Sequence, residues 1–250
     1  MGAYPNFINI FSLKPYKGRF FMSITKNNSI YIKKLTALAV FAALAYVVHF
    51  IHIPVSFLNL DFKDVIMTVA GMYFGPVSGV VVAIIVPLLE FPTSETGPYG
   101  LIMNLISSVT FVGVASLIYR FKRTLSGAII ALVSAAMSMT AVMMLANLFI
   151  TPFYMGVSRG DVVSLIPTML LPFNAIKSIL NASLTLCLYK PMTNVLKKAK
   201  ITKSVVDAEG VTSTEGSKLR SVLVIVIGSV IAVASLAIVF FVLGGSISFG

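Results

Sequence analysis

Lys177 stands three residues after Asn174 and four before Asn181, inside the apolar stretch Leu170 to Lys190, LLPFNAIKSILNASLTLCLYK. That spacing places all three side chains on one face of a helix. An ammonium group at membrane depth costs roughly 2.5–3.5 kcal/mol on insertion scales, so it belongs against a protein interior or a polar cavity. Two amides and an ammonium together offer donors and acceptors to an uncharged polar ligand. The competing reading is that Lys177 snorkels to a headgroup while the asparagines bridge helices. Pro172 fits a first helical turn, where its missing N–H is no loss, which puts the polar face near one boundary of the span.

The rest of the chain says what must carry that face. Of 250 residues, 58% are hydrophobic and 11% charged, and the mean hydropathy is +0.98. A chain of this size cannot hide so much apolar surface in one globular core, so its medium is a lipid bilayer. The net charge of +11 would suggest nucleic acid in a soluble protein. Here the basic residues fall in short clusters between apolar spans, where they act as topology signals, and no nucleic-acid partner is expected. The one cysteine, Cys187, lies inside an apolar span, which excludes a disulfide framework and suggests packing.

Residues 1–32 read as a cytoplasmic N-terminal extension without the apolar core and cleavage site of a signal peptide. MGAYPN misses the myristoylation pattern at Asn6, and Met22 is an alternative start. Residues 33–198 hold six helical segments. The first runs from Leu35 to about Ile53, where Ala39 and Ala43 form a small-xxx-small pair that lets another helix approach closely or serves an ordinary internal contact. His49 and His52 share a face, but no third metal ligand accompanies them and no metal is expected. Residues 54–61 form a polar connector. The apolar run over 62–74 is too short to cross alone, and is expected to be a short, protein-covered helix ending at the Gly75-Pro76 turn. Asp61 and Asp64 at its start either complement the helix N-terminus or face a ligand. Spans follow over 75–91, 101–119 (with Asn104 near its entrance and Ser107 and Ser108 close by) and 125–154 (with Asn147 near its far end and Pro152 stopping it). A loop carrying Arg159 and Asp161 leads to the sixth. Residues 199–218 are a polar linker, and 219–244 an additional, uniformly apolar, lipid-facing transmembrane helix outside the pocket.

Lys33/Lys34, Arg120/Lys122/Arg123 and the Lys190–Lys203 cluster mark the cytoplasmic side, which puts the N-terminus inside and makes this a multi-pass cell-membrane protein. Asp61, Asp64, Asn104, Asn147, Asn174 and Lys177 then converge toward the outer leaflet as an outward-facing pocket for a small polar or aromatic solute. An enzyme is not expected. None of the eight acidic residues pairs with a histidine or cysteine within a span, and there is no phosphate-binding loop to hydrolyse ATP. A stand-alone secondary transporter is the alternative, although an intramembrane carboxylate relay and two matched halves are missing.

In order and spacing, LDFKDVIMTVAGMYFGPVSGVVVAII, GPYGLIMNLISS, NLFITPFY and LLPFNAIKSIL resemble the substrate-binding S components of energy-coupling factor (ECF) vitamin transporters, above all the riboflavin-specific members. The likeness spans about residues 32–198, leaving the seventh helix, Glu90 and the first thirty residues unmatched. It implies an all-α, six-helix membrane fold with no cofactor, taking up riboflavin as its ligand and flavin mononucleotide (FMN) more weakly. Partners would be an EcfT-type transmembrane protein and two ECF ATPases, docking on Ala39 and Ala43. Asn147, Asn174 and Lys177 would contact riboflavin, with Gly100 of the GPYG segment at the ligand and the loop after the first helix as a gate. Leu148, Phe149, Phe153 and Phe173 could wall the ring. Another vitamin, thiamine or biotin, is the alternative within the family.

Overall fold

A computed structural model of the chain describes residues 17–93, 97–198, 218–244 and 248–249. Residues 1–16 of the extension and 199–217 of the linker lie outside them. Helix α1 (Lys17–His49) leads into a hairpin, β1 (Ile51–Val55) and β2 (Leu58–Asp61). Then come α2 (Lys63–Phe74), α3 (Pro76–Glu90) with a 3-10 turn at Phe91–Thr93, α4 (Gly97–Phe121) and α5 (Leu125–Met155). The last part comprises α6 (Arg159–Leu165), a π turn (Ile166–Leu170), α7 (Leu171–Lys198), α8 (Lys218–Phe241) and a short β3 (Ser248–Phe249).

Six stretches among the described residues are long and apolar enough to span a bilayer: Tyr31–His49, Pro76–Thr93, Gly97–Phe121, Leu125–Met155, Arg159–Tyr189 and Val222–Phe241. Their outer faces carry exposed Val, Ile and Leu, such as Val77, Val81, Ile84 and Leu88 on α3, a surface that only lipid can cover. The expected all-α membrane fold therefore holds, with the extra C-terminal helix in place. Helix α2, too short to cross, is enclosed by α1, α3, α4 and α7, and every one of its residues except Ile66 is buried. A helix inside protein can be short because its ends meet protein groups rather than hydrocarbon.

Local chemistry sets the corners. Gly75 takes φ 93°, which glycine adopts without steric cost, and Pro76 starts α3 at a position that needs no N–H. The α2–α3 crossing closes on two glycines: a Cβ on Gly79 would stand 2.5 Å from the Gly71 Cα. Thr124 caps α5 by accepting from the Gly127 amide at 3.2 Å, and Gly156, at φ 65°, ends it.

Three expectations are revised. The connector after α1 is an antiparallel hairpin that pairs Val55 with Leu58 and His52 with Asp61, and β3 joins its free edge to give the order β2-β1-β3. The Arg159/Asp161 loop is instead the first turn of α6, closed by a capping box in which Ser158 and Asp161 bond each other's backbone amides. The chain stays helical from there through the π turn, so Pro172 lies within a continuous helical path. Finally, α8 does more than face lipid. Its Ala232, Ser235 and Val239 are buried, its Gly228 lies so close to α7 that a Cβ there would be 2.9 Å from Cys187 Sγ, and its apolar residues share a core with hairpin residues Ile53 and Leu60.

Replacing Gly79 by alanine should drive α2 and α3 apart, an overpacking cost of roughly 1–3 kcal/mol. Thermal melts of the detergent-solubilised variant should show a clearly lower midpoint than wild type. An unchanged midpoint would mean that the glycine contact is dispensable.

Candidate functional site

Five helix ends and a hairpin meet at one end of the bundle: the C-termini of α1, α3 and α5, the N-termini of α4 and α7, and the β1–β2 turn. They enclose a cavity of about 220 Å³. Its wall includes six of the residues singled out from the sequence, Asp61, Gly100, Asn104, Asn147, Asn174 and Lys177. Asp64 is placed differently. It is fully buried beneath the wall, where Ser108 Oγ donates to its Oδ1 at 2.6 Å and Asn181 Nδ2 approaches its Oδ2 at 3.5 Å. Asn181, on the face of Asn174 and Lys177 but a full turn deeper, also lies outside the cavity wall.

Lys177 does not snorkel. It is 5% exposed and donates to Asp61 Oδ2 at 3.0 Å, with the Asn59 carbonyl at 3.4 Å. Helix α7 is thereby pinned to the hairpin. The line of charge continues: Lys63 Nζ is 3.8 Å from Asp61 Oδ2 and donates to Glu90 Oε2 on α3, and Glu90 Oε1 is 3.5 Å from His49 Nδ1 at the end of α1. Burial alone would raise the Asp61 carboxyl, but the Lys177 and Lys63 ammonium groups outweigh it and hold the group at about 2.

The asparagines are anchored by their own helices. Asn147 Nδ2 donates to the Met143 carbonyl at 2.7 Å while its Oδ1 accepts from Thr151 Oγ1 at 2.9 Å, and Asn174 Nδ2 donates to the Leu170 carbonyl at 2.8 Å. Leu170 closes the π turn, and such wide turns free backbone acceptors next to ligand sites. These bonds fix the amide orientations before any ligand arrives, which lowers the ordering cost of binding.

The apolar walls differ from those expected. Phe173 lines the cavity, but Leu148, Phe149 and Phe153 do not; Phe149 and Phe153 point outward on α5, exposed by 55% and 67%. The helical period turns Tyr154 inward in their place. Phe50, Phe57, Phe91 and Tyr99 supply further rings. Sequence reasoning also passed over Glu90 as a site residue. An ionisable group at the end of an apolar span was the available signal.

Because the Asp61 carboxyl sits below its ordinary value of 3.8 in the folded protein, its contribution to stability is complete above about pH 4 and is lost as pH falls toward 2. Asp61→Asn should therefore melt earlier than wild type, by a margin that is constant from pH 8 to pH 5 and narrows as pH falls from 4 toward 2. Melting curves across that range provide the check, and a margin as wide at pH 3 as at pH 7 would show that the Lys177–Asp61 pair is not its source.

The chain was compared with known proteins. A family model described as the ECF transporter substrate-specific component matches residues 33–189. The chain is 34% identical over 176 residues to the riboflavin transporter RibU of Staphylococcus aureus (strain TCH60), a match covering 66% of this chain and 93% of that protein. It is 26% identical over 162 residues to the riboflavin transporter FmnP of Bacillus subtilis (strain 168), covering 59% and 85%. A solved structure described as the S component of a bacterial ECF transporter superimposes with a TM-score of 0.58 at 34% identity, covering 67% of this chain and 99% of the other. The family model matches more than half of the chain, and the chain belongs to the substrate-specific components of ECF transporters, which are transport components rather than enzymes.

Proposed function

We propose that this protein captures riboflavin from outside the cell and hands it inward, in complex with an EcfT-type membrane protein and two ECF ATPases. The observation that carries the reading is the composition of the cavity wall: fixed amides and an ammonium group face aromatic side chains. Riboflavin is a flat, uncharged ring system with imide and carbonyl edges and a chain of hydroxyls. Amides match its edges, aromatic side chains its faces, and Lys177, with three N–H donors, can serve a ligand carbonyl while keeping Asp61. Both curated relatives described above are named riboflavin transporters, which supports the same ligand.

Charge argues for the unphosphorylated form. Among the described residues, the acidic and lysine side chains that line the cavity are two carboxylates, Asp61 and Glu90, against one ammonium group, Lys177. Such a site repels a dianionic phosphate, so FMN binds more weakly than riboflavin. The hairpin, held by Lys177, serves as the gate. Lys33 and Lys34 at the start of the α1 span, and Arg120, Lys122 and Arg123 after α4, lie toward the opposite end of the bundle from the cavity, which supports an outward-facing site and a cytoplasmic N-terminus.

Docking falls to α1. Ala39 and Ala43 are exposed, flanked by exposed Leu35, Val40, Leu44 and Val47, whereas Ala45 is the small residue used for internal packing. A smooth, unoccupied stripe suits close approach by a partner helix. Helix α8 packs on α7, away from that face.

Purified protein, without ATPases, should quench riboflavin fluorescence on binding, and Lys177→Met should weaken binding by roughly 1–3 kcal/mol, or about ten- to a hundredfold. Saturable thiamine or biotin binding with no flavin binding would replace the ligand. Ala39→Leu and Ala43→Leu should each abolish riboflavin uptake by cells while leaving binding by the isolated protein intact. Normal uptake by both variants would move the docking surface elsewhere.

A further inference from the structure

On the α5 and α7 side of the cavity stand amides and Lys177, which can donate. Three buried oxygens among the described residues of its wall have no hydrogen-bond partner: Asp61 Oδ1 on the hairpin, whose other oxygen is held by Lys177, and, on the α3 and α4 side, Glu90 Oε1, in a residue 2% exposed, and Ser107 Oγ, in one 3% exposed. All three residues line the cavity. His49 Nδ1, 3.5 Å from Glu90 Oε1, makes no hydrogen bond with it. Glu90 Oε2 is occupied by Lys63, which holds the carboxylate in place and leaves the other oxygen with unused acceptor capacity. A buried carboxylate oxygen without a donor costs free energy that a ligand donor would recover.

We propose that Glu90, with Ser107 on the neighbouring helix of the same cavity wall, is the specificity-determining subsite for the hydroxyl chain of the ligand. The assignment rests on the riboflavin reading and deepens it. A carboxylate oxygen accepts only, so it pairs with ligand O–H or N–H and with no carbonyl. A flavin has a single ring N–H, on the imide edge that amides recognise best, and all its other donors are the hydroxyls of the side chain. Glu90 is also removed from Lys177 by two intervening charged groups, Asp61 and Lys63, so a ring edge read by Lys177 places its substituent chain toward α3 and α4. The acceptor then sets a selection rule: neutral ligands with hydroxyls on the side chain are taken, and ring systems without them lose the advantage.

Lumiflavin, which keeps the flavin ring and its N–H but carries a methyl group in place of the hydroxyl chain, is the probe. Titrations of the full-length protein with riboflavin and with lumiflavin give the ratio of the two affinities. In Glu90→Gln that ratio should fall by about tenfold, and in Ser107→Ala, which changes no charge, by about fivefold. Lumiflavin binding also reports that each variant is folded. Equal losses for both flavins would put Glu90 at the ring edge, and unchanged ratios in Ser107→Ala and Glu90→Gln would remove the subsite; either result overturns the assignment. Wild-type protein that bound neither flavin would overturn the ligand reading itself, and this assignment with it.

Discussion

The structure depends on a row of charges buried where none should survive alone. Lys177 on α7, Asp61 at the end of the hairpin, Lys63 at the start of α2 and Glu90 at the end of α3 form one line of contacts. All four side chains are buried, and desolvating a charge in such surroundings costs several kcal/mol unless a partner of opposite charge stands in reach. The row is therefore a geometric constraint: four elements must stand at fixed distances for it to exist. It sits at the level where the cavity opens, so the interactions that hold the hairpin and helix ends together also supply the cavity's polar wall.

The rest of the fold follows from placing that row inside an apolar medium. Lipid satisfies the exposed aliphatic faces of the long helices, and protein satisfies α2, whose enclosure by four helices lets a short element carry Lys63 and Asp64 to the middle of the assembly. The close approach of Gly71 and Gly79 brings α2 and α3 near enough for Lys63 to reach Glu90. At the far end, Tyr73 donates to the Tyr189 carbonyl at 2.7 Å and the Tyr119 and Tyr189 hydroxyls meet at 2.6 Å, fastening α2, α4 and α7 together. The cavity end of the bundle is thus backed by one that these tyrosines fasten.

The C-terminal unit is what sets this chain apart from the matched core, which ends at residue 189. Helix α8 packs along α7, and β3 adds Phe249 and Ser248 to the hairpin edge opposite Ile51 and His52. None of the described side chains of α8 lines the cavity, and the helix backs α7, which does.

Much was legible in the residues themselves. Hydrophobic spans, Gly-Pro corners and lysine clusters determined a multi-pass helical protein, because in a bilayer backbone hydrogen bonds must be closed within each segment and apolar length is the dominant signal. The three-and-four spacing of Asn174 and Lys177 determined a polar face. Which partner that face meets was a tertiary decision: Asp61 is 116 positions away and no local pattern links it to Lys177. The same holds for Glu90, whose role depends on Lys63 across an interhelical corner, and for Asp64, whose spacing from Asp61 suggested a shared site while the helix turn carried it below the wall. Phe149 and Phe153 belong to the right segment, but a long helix surrounded by lipid on one side carries aromatic residues all round, so composition could not say which rings faced inward. The hairpin lacked the Asn-Gly or Asp-Gly turn that announces one, and its Ser56-Phe57 corner, with Ser56 at φ 56°, forms because the strands on either side are held by the core and by Lys177.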